Sequence, residues 1–412
     1  MMSNYKEIDS CRVTKTQDLK TILNLGNQNL TGVFPKPNKD VGIGPLELVW
    51  SPSSYLVQLK HTYEPTEMYG DNYGYLSSLN NSMVQHLNQK ASYLTELCEL
   101  KDGDVVVDIG SNDCTFLKAL PSFTRRIGID PTIKKFLHYY PEEIAYVSDF
   151  FSKESYYSVE PKKKCKLVTS ISCFYDLDDP VSFVKDIREI LSDDGLWHFE
   201  QAYLPSTLRA TSYDTACHEH IEYYSMLSVS KILSLAEMKI VDVSLNDING
   251  GSFSVTACKD TNNQIKVNST VINWLIGEEY KMGLDTLKPY YEFAERVESH
   301  KESLVNLIGG LRSDNKTVYG YGASTKGNVM LQWCGLTSED IIAIGEVNPD
   351  KYGCVTPGTN IPIIPESEVK QIKPDYMIVL PWHFKNGILQ REKEYRSSGG
   401  KFIFPLPYIE IV

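Results

Sequence analysis

"VVVDIGSNDCTFLKAL", residues 105–120, decides how the chain folds. An apolar run of strand length ends on Asp108 and Gly110 and passes directly into a helical pattern, which is the opening unit of a strand-helix-strand fold. The same alternation recurs on either side of it. "RRIGID" (125–130), "KLVTSIS" (166–172), "GLWHFEQ" (195–201) and "FSVTAC" (253–258) read as strands, separated by amphipathic segments such as "DPVSFVKDIREILS" (179–192) and "SVSKILSLAEM" (228–238). Such alternation predicts an α/β chain on a central doubly wound, Rossmann-like parallel sheet. Upstream, "SSLNNSMVQHLNQKASYLTELCEL" sets Met83, Leu87, Tyr93, Leu94 and Leu97 on one predicted helix face.

Outward from that centre, three segments separate by pattern. Residues 1–65 are turn-rich and strand-like, residues 66–260 carry the central alternation, and residues 261–412 begin helical and then alternate again. In the last segment a helical stretch from about 268 to 312 breaks near Pro289, and "KTVYGYGAST", "IIAIGEV", "PDYMIVLP" and "KFIFPLP" are four strand candidates of a second α/β domain. A length of 412 residues suits two or three cores.

Composition narrows the function classes. The chain has 41 Lys plus Arg against 53 Asp plus Glu, a formal charge of −12, and no long basic run, so nucleic acid is not an expected partner. No stretch approaches the roughly 18 apolar residues of a membrane span, and the start lacks an apolar leader core. A soluble, cytoplasmic protein with no membrane partner is expected. Nine Cys at irregular spacing do not form a disulfide framework.

The loop after the first strand carries the first chemical signal. Asp108 and Gly110 end that strand, Ser111 and Asn112 follow, and Asp130 ends the next strand, where a carboxylate could accept both hydroxyls of a ribose. Only one glycine of a dinucleotide fingerprint is present, and Asp113 in the loop would repel a pyrophosphate. A phosphate-free cationic nucleoside fits better, and S-adenosylmethionine meets that description. Asp149 and Phe150, in "VSDFF" at the end of the third strand, are candidates to hold the adenine. The other reading is an ordinary capping turn with Ser111 or Asp113 as N-cap.

With these residues in place, the chain resembles the bacterial nucleotide-sugar C-methyltransferases. The resemblance runs nearly the whole length, through "LVQL" (56–59), "YGYLSS" (73–78), "VVDIGSND" (106–113), "FYDLDDP" (174–180), "FEQAYLP" (199–205), "CHEHIEYYS" (217–225), "NDINGGSF" (246–253), "GYGASTKGN" (320–328), "NPDKYGCVTPGTNIPI" (348–363) and "LPWHF" (380–384). It implies an N-terminal zinc-binding-like module, a methyltransferase sheet and a C-terminal Rossmann-like domain, with a nucleotide-linked deoxy-keto-sugar held between them.

Two departures stand out. The family's zinc module resembles two Cys-x-x-Cys pairs, whereas this chain has Cys11 with Thr14 and Ser51 with Ser54. Serine and threonine hydroxyls are not deprotonated at neutral pH, so a bound zinc is not expected. Cys114 stands where the family's loop usually has glycine, and a left-handed backbone there costs about 1 kcal/mol with a cysteine.

The run His218, Glu219, His220 could be a metal site, an acid/base cluster or core packing. A zinc-protease helix needs His at i and i+4, and this run offers i and i+2. In an extended segment both imidazoles would point one way and Glu219 the other. The resemblance maps an active-site Glu-His pair onto Glu219 and His220, with His220 as base or enolate stabiliser, Glu219 setting its tautomer or sharing its proton, and His218 an alternative to His220. Carbon methylation needs a proton removed beside a ketone, a donor for the enolate oxygen and little water. Tyr75 matches a family active-site tyrosine. Some members carry Tyr at the position of Cys217 and His at that of Phe174.

In the last segment "VYGYGASTKGN" reads as strand, glycine turn and helix, with Tyr321, Ser324, Lys326 and Asn328 as candidates to bind the substrate and its diphosphate. His383 in "PWHF" faces the same cleft or packs in the core. Glu346 at the end of the following strand keeps an NAD-dependent oxidoreductase open, and a relative that binds a nucleotide sugar without methylating it is the other alternative. A monomer and a homodimer are equally compatible with the sequence.

Overall fold

Strand β6 (Val105–Ile109) lies inside a seven-stranded sheet, and Val105, Val106 and Val107 are at most 1% exposed because protein covers both faces of the sheet. The computed structural model describes residues 5–64 and 75–412. Tyr73 and Gly74 of "YGYLSS", and the expected boundary between residues 65 and 66, lie outside the described residues.

Before β6 come β1 (Tyr5–Glu7), β2 (Lys20–Asn29), β3 (Ile43–Trp50), β4 (Val57–Leu59) and β5 (His61–Tyr63). After it come β7 (Arg125–Ile129), β8 (Ala145–Val147), β9 (Cys165–Ile171), β10 (Leu191–Ala202), β11 (Glu222–Tyr223), β12 (Met238–Asn246) and β13 (Ser252–Lys259). The central sheet has the order β12-β13-β10-β9-β6-β7-β8. Its run from β10 to β8 is parallel, while β13 is antiparallel to both β10 and β12. The sheet is therefore mixed at one edge. The chain moves from β6 to β7 on one side and returns to β9 on the other, so the crevice for a ligand opens at the carboxyl ends of β6 and β9.

The last sheet is built from β14 (Val318–Tyr321), β15 (Ile344–Glu346), β16 (Ile363–Pro365), β17 (Tyr376–Val379), β18 (Lys401–Phe404) and β19 (Glu410–Ile411), in the order β16-β15-β14-β17-β18-β19. The helical stretch before it breaks as expected into Ser269–Lys281 and Lys288–Ser313, with Pro289 in the first turn of the second helix. Ile272 and Leu275 of the first helix belong to the core under the central sheet, so this part of the third segment packs with the second.

The N-terminal sheet is not self-contained. Its order is β11-β4-β3-β2, so the strand immediately following the His-Glu-His run completes it, with Glu222 opposite Gln58 and Tyr223 opposite Val57. One hydrophobic cluster runs from Leu46 and Trp50 of β3 through Tyr213 and Leu227 to Val379 of β17. Asn29 of β2 donates its N–H to Gln332 at 2.7 Å, and the N–H of Val355 donates to the carbonyl of Pro35 at 2.8 Å. These contacts pin the start and the middle of the long loop between β2 and β3 to the last domain.

The helix Asn81–Leu97 buries Met83, Leu87 and Leu94, but Tyr93 is 45% exposed and Lys90 takes its place on the inner face. Lys90 can be buried because its Nζ lies 2.6 Å from Glu200, which also meets Nε2 of His86 at 2.5 Å.

Candidate functional site

A cleft of about 330 Å³ opens at the carboxyl ends of β6, β7 and β9. Tyr75, Asp108, Gly110, Ser111, Asn112, Asp130 and Phe150, all expected from sequence, line it. Gly110 has φ +74°, and a Cβ there would lie 2.9 Å from Cβ of Cys173, so both backbone conformation and space require glycine. Asn112 donates its N–H to Oδ2 of Asp130 at 2.9 Å, while its side chain accepts from Ser77 N–H at 3.1 Å and donates to the carbonyl of Tyr75 at 3.1 Å. One loop residue thus ties a carboxylate to the segment that walls the cleft.

Asp108 is 4% exposed, and Oδ1 accepts from the Thr169 hydroxyl at 2.7 Å. Burial pushes its carboxyl up to about 7, with the nearby charge of Asp130 adding to the shift. Asp130 accepts from Thr132 N–H at 2.6 Å and from its hydroxyl at 2.5 Å. Asp113 points out of the cleft, where Oδ2 accepts from Ser78 N–H and Oδ1 from the hydroxyl and N–H of Thr115. The helix that follows, Thr115–Ala119, has Cys114 as its N-cap, with no cap bond from that side chain, so neither Ser111 nor Asp113 is the N-cap expected. Cys114 does adopt the left-handed conformation, at φ +66°, and its thiol is fully buried beside Phe116 and Leu117.

The cleft wall also includes Asp176 and Asp178, which sequence reasoning did not single out although both stand in "FYDLDDP". Four carboxylates and, among the described residues, no Lys, Arg or His line the space. That charge suits a sulfonium and rejects a pyrophosphate, so the residues present fit S-adenosylmethionine. Asp149 is a correction. It is exposed and outside the cleft, accepting the N–H of Phe150 at 2.7 Å, because the chain turns immediately after β8.

The His-Glu-His run forms a turn rather than an extended segment, and its two imidazoles diverge. His218 is 1% exposed, stands edge-on to Tyr63 at 4.8 Å, and has its ring nitrogens 3.4 Å from Thr31 N and Gly44 O. It packs the N-terminal sheet, and burial pushes its pKa down to about 4. The expectation that both imidazoles point one way is not met.

His220 turns the other way, with its ring 4.4 Å from that of Tyr175. Tyr175 directly precedes Asp176, Leu177 and Asp178 in the cleft wall, so His220 packs on the residue that adjoins this wall. Burial and then the charge of Lys326 pull its pKa down to about 3. Glu219 fills space left open by Gly32, where a Cβ would lie 1.8 Å from Oε1, and burial raises its carboxyl. Its Oε2 has no hydrogen-bond partner among the described residues.

Lys326 enters from the last domain. Its Nζ donates to the carbonyl of Asn249, in the "NDINGG" loop, at 3.2 Å. His383 lies between Trp382 and Phe384 close to Gly250, and burial followed by Lys326 keeps its pKa well below the usual value. Trp382 Nε1 donates to Oδ2 of Asp214 at 2.8 Å, joining the same loops from below. The charge of Lys326 thus reaches both His220 and His383. Phe174 and Cys217, where relatives were expected to carry His and Tyr, are buried core residues, with Phe174 stacked on Tyr224 at 4.8 Å.

Three other candidates have different surroundings from those expected. Tyr321 is 3% exposed and donates to Glu392 at 2.9 Å, because its position on the short β14 turns it into the domain core. Asn328 is fully buried and donates to the carbonyl of Thr31 at 2.8 Å, which makes it a docking residue for the N-terminal loop. Ser324 accepts from Gly327 N–H at 3.0 Å as the cap of the helix Thr325–Cys334. Glu346 accepts from Ala323 N–H in the glycine turn and from the N–H groups of Val347 and Asn348, each at 2.8 Å. An internal carboxylate therefore occupies the turn that a dinucleotide pyrophosphate would need, which argues against the NAD reading.

The four positions of the expected zinc module do not fit the metal. The sulfur of Cys11 lies 3.0 Å from Oγ of Ser54, Ser51 donates to Asp18 at 2.8 Å, and Thr14 Oγ1 lies 2.7 Å from Ser53 Oγ. One thiol and three engaged hydroxyls do not supply the closed N or S donor set of structural zinc.

Residues 83–243 match a family model described as "Methyltransferase domain", residues 247–407 one described as "C-methyltransferase C-terminal domain", and residues 11–69 one described as "Putative zinc binding domain". The chain is 30% identical over 417 residues to the C-methyltransferase NovU of Streptomyces niveus, covering 100% of this chain and 99% of that protein. Solved structures similar in part include an S-adenosylmethionine-dependent methyltransferase from Clostridium acetobutylicum, at 9% identity and TM-score 0.34, covering 43% of this chain and 92% of that one. The plantazolicin methyltransferase BpumL in complex with a triazolic desmethylPZN analogue and SAH is another, at 11% identity and TM-score 0.36, covering 44% and 87%. On its full-length identity to NovU and its three family matches, the chain belongs to the S-adenosylmethionine-dependent C-methyltransferase family.

Proposed function

We propose that the chain methylates a carbon beside the ketone of a nucleotide-linked deoxy-keto-sugar. The observation that supports this reading is that the charge of Lys326 reaches His220, which packs on the residue adjoining the wall of a carboxylate-lined cleft. Asp108, Asp130, Asp176 and Asp178 give the cleft a negative wall, and Phe150 offers an aromatic face to a base. Bound there, S-adenosylmethionine supplies an electrophilic methyl group.

The rest of the chemistry belongs to the chain's own side chains. His220 is neutral at physiological pH and so has a lone pair available for the proton beside the ketone. Removing that proton leaves an electron pair shared between the carbon and the ketone oxygen, and Lys326 stabilises the negative oxygen. The carbon then carries the pair into its new bond with the methyl group. Lys326 also depresses the basicity of His220, so pairing of its ammonium with an anionic substrate raises the imidazole's proton affinity when the substrate is in place. Glu219, whose carboxyl is raised by burial, adjoins His220 in sequence and is the group to which we assign the onward proton transfer.

The substrate class is tested by mass spectrometry of reactions with a panel of nucleotide-linked keto-sugars and S-adenosylmethionine. A methylated sugar formed from keto-sugars, and none from the corresponding alcohols, is expected. Equal methylation of alcohols would point to transfer to oxygen and contradict the reading.

A further inference from the structure

The N-terminal module meets the cofactor cleft through one buried side chain. Arg12 directly follows Cys11 and is 3% exposed. Its Nη1 donates to the carbonyl of Leu59 at 2.5 Å, its Nη2 to the Thr62 hydroxyl at 2.6 Å, and its Nε to Oδ1 of Asp178 at 3.2 Å. The hydroxyl of Thr62 donates to the same Asp178 oxygen at 2.8 Å. Asp178 is a wall residue of the cleft, and its side chain is 55% exposed. Left alone, such a carboxylate would swing toward water, away from its three negative neighbours. A guanidinium fixed by other partners holds it in one place.

Arg12 is held in turn by two short turns. The N–H of Cys11 donates to Thr16 O at 2.8 Å and the N–H of Lys15 returns to Cys11 O at 2.8 Å, closing the turn 11–16. Across from it the turn 51–54 is closed by Ser51 and Ser53, which both donate to Asp18, at 2.8 and 3.0 Å. The Cys11 to Ser54 and Thr14 to Ser53 contacts join the two turns. Hydrogen bonds occupy the place where relatives were expected to use a metal.

We propose that this metal-free clasp holds Arg12 against Asp178, which makes the N-terminal module a positioning element of the cofactor cleft and Arg12 its positioning residue. The proposal rests on the cleft being the S-adenosylmethionine site. It requires the module to act on cofactor affinity without metal, and Arg12 and Asp178 to act as one unit.

Calorimetry of the full chain with S-adenosylhomocysteine tests it. Arg12→Lys and Asp178→Asn should each weaken binding by about fivefold or more, and the double variant should be no weaker than the worse single one. Prolonged chelation of the wild type should leave affinity unchanged. Losses that add in the double variant, or unchanged affinity in folded Arg12→Lys, would overturn the proposal, as would release of one metal per chain with loss of affinity. Should Arg12→Lys fail to fold, Ser54→Ala loosens the clasp instead. It should weaken binding in the wild-type background but not in Asp178→Asn, and an equal loss in both backgrounds counts against the proposal. A wild type that binds neither S-adenosylmethionine nor its demethylated product removes the cleft reading itself and takes this proposal with it.

Discussion

Lys326, in the first turn of a helix in the last domain, donates to the carbonyl of Asn249 in the loop before β13 at 3.2 Å. The bond carries an ammonium across the boundary between two sheets and brings it within electrostatic reach of His220, which belongs to the turn that leads into the N-terminal sheet. The site is therefore a junction, and no one sheet contains it.

The electrostatic role of Lys326 has a direct readout. Lys326→Met should raise the pKa of His220 from about 3 toward the value that burial alone sets, because a positive neighbour disfavours the imidazolium. Titration of the imidazole resonance by NMR measures the shift. An unmoved pKa would separate Lys326 from the base.

Asp108 predicts a pH dependence of cofactor binding. Burial pushes its carboxyl up to about 7, and a sulfonium favours the ionised form. Affinity for S-adenosylmethionine should therefore fall as pH drops below 7, by up to about tenfold per unit, with proton release visible as buffer-dependent binding heat. S-adenosylhomocysteine, neutral at sulfur, should show a shallower profile, and Asp108→Asn should flatten both. A flat wild-type profile between pH 6 and 8 would contradict the assignment.

Much of this arrangement was legible in the sequence, for an identifiable reason. Parallel strands buried on both faces appear as unbroken apolar runs, and the acids that end β6 and β7 stand at fixed places beside them, so Asp108, Gly110 and Asp130 were found from local pattern. What escaped depends on distant partners. Lys90 sits on the buried helix face only because Glu200 meets it there. His218 belongs to a core set by Thr31, Gly44 and Tyr63. The two-residue strand Glu222–Tyr223 is too short for any period, yet it decides that the His-Glu-His run turns. Tyr321 sits on a four-residue strand, too short to settle which face is buried.

The loop glycine gives a stability prediction. Gly110→Ala would combine a left-handed backbone with a Cβ 2.9 Å from Cys173, and should cost about 1–3 kcal/mol in chemical denaturation. It should also weaken binding of S-adenosylhomocysteine, since the same turn presents Ser111 and Asn112 to the cleft. Wild-type stability in Gly110→Ala would mean that the turn is softer than its geometry implies.

Gly32 tests Glu219 without touching it. A methyl group on Gly32 would fall 1.8 Å from Oε1 of Glu219, so Gly32→Ala should displace that flexible carboxylate at little cost in fold. Turnover should fall about tenfold or more while the melting temperature changes by only a few degrees. Full activity would remove Glu219 from the proton path.

The most direct measurement follows the proton that His220 is proposed to remove. In deuterated water, with S-adenosylhomocysteine in the cleft and a nucleotide-linked keto-sugar added, the wild-type chain should exchange the hydrogen beside the ketone, as read by mass spectrometry. His220→Ala should retain its fold and its affinity for S-adenosylhomocysteine yet lose that exchange. Undiminished exchange in the folded variant would contradict the account, because the base would then be another group.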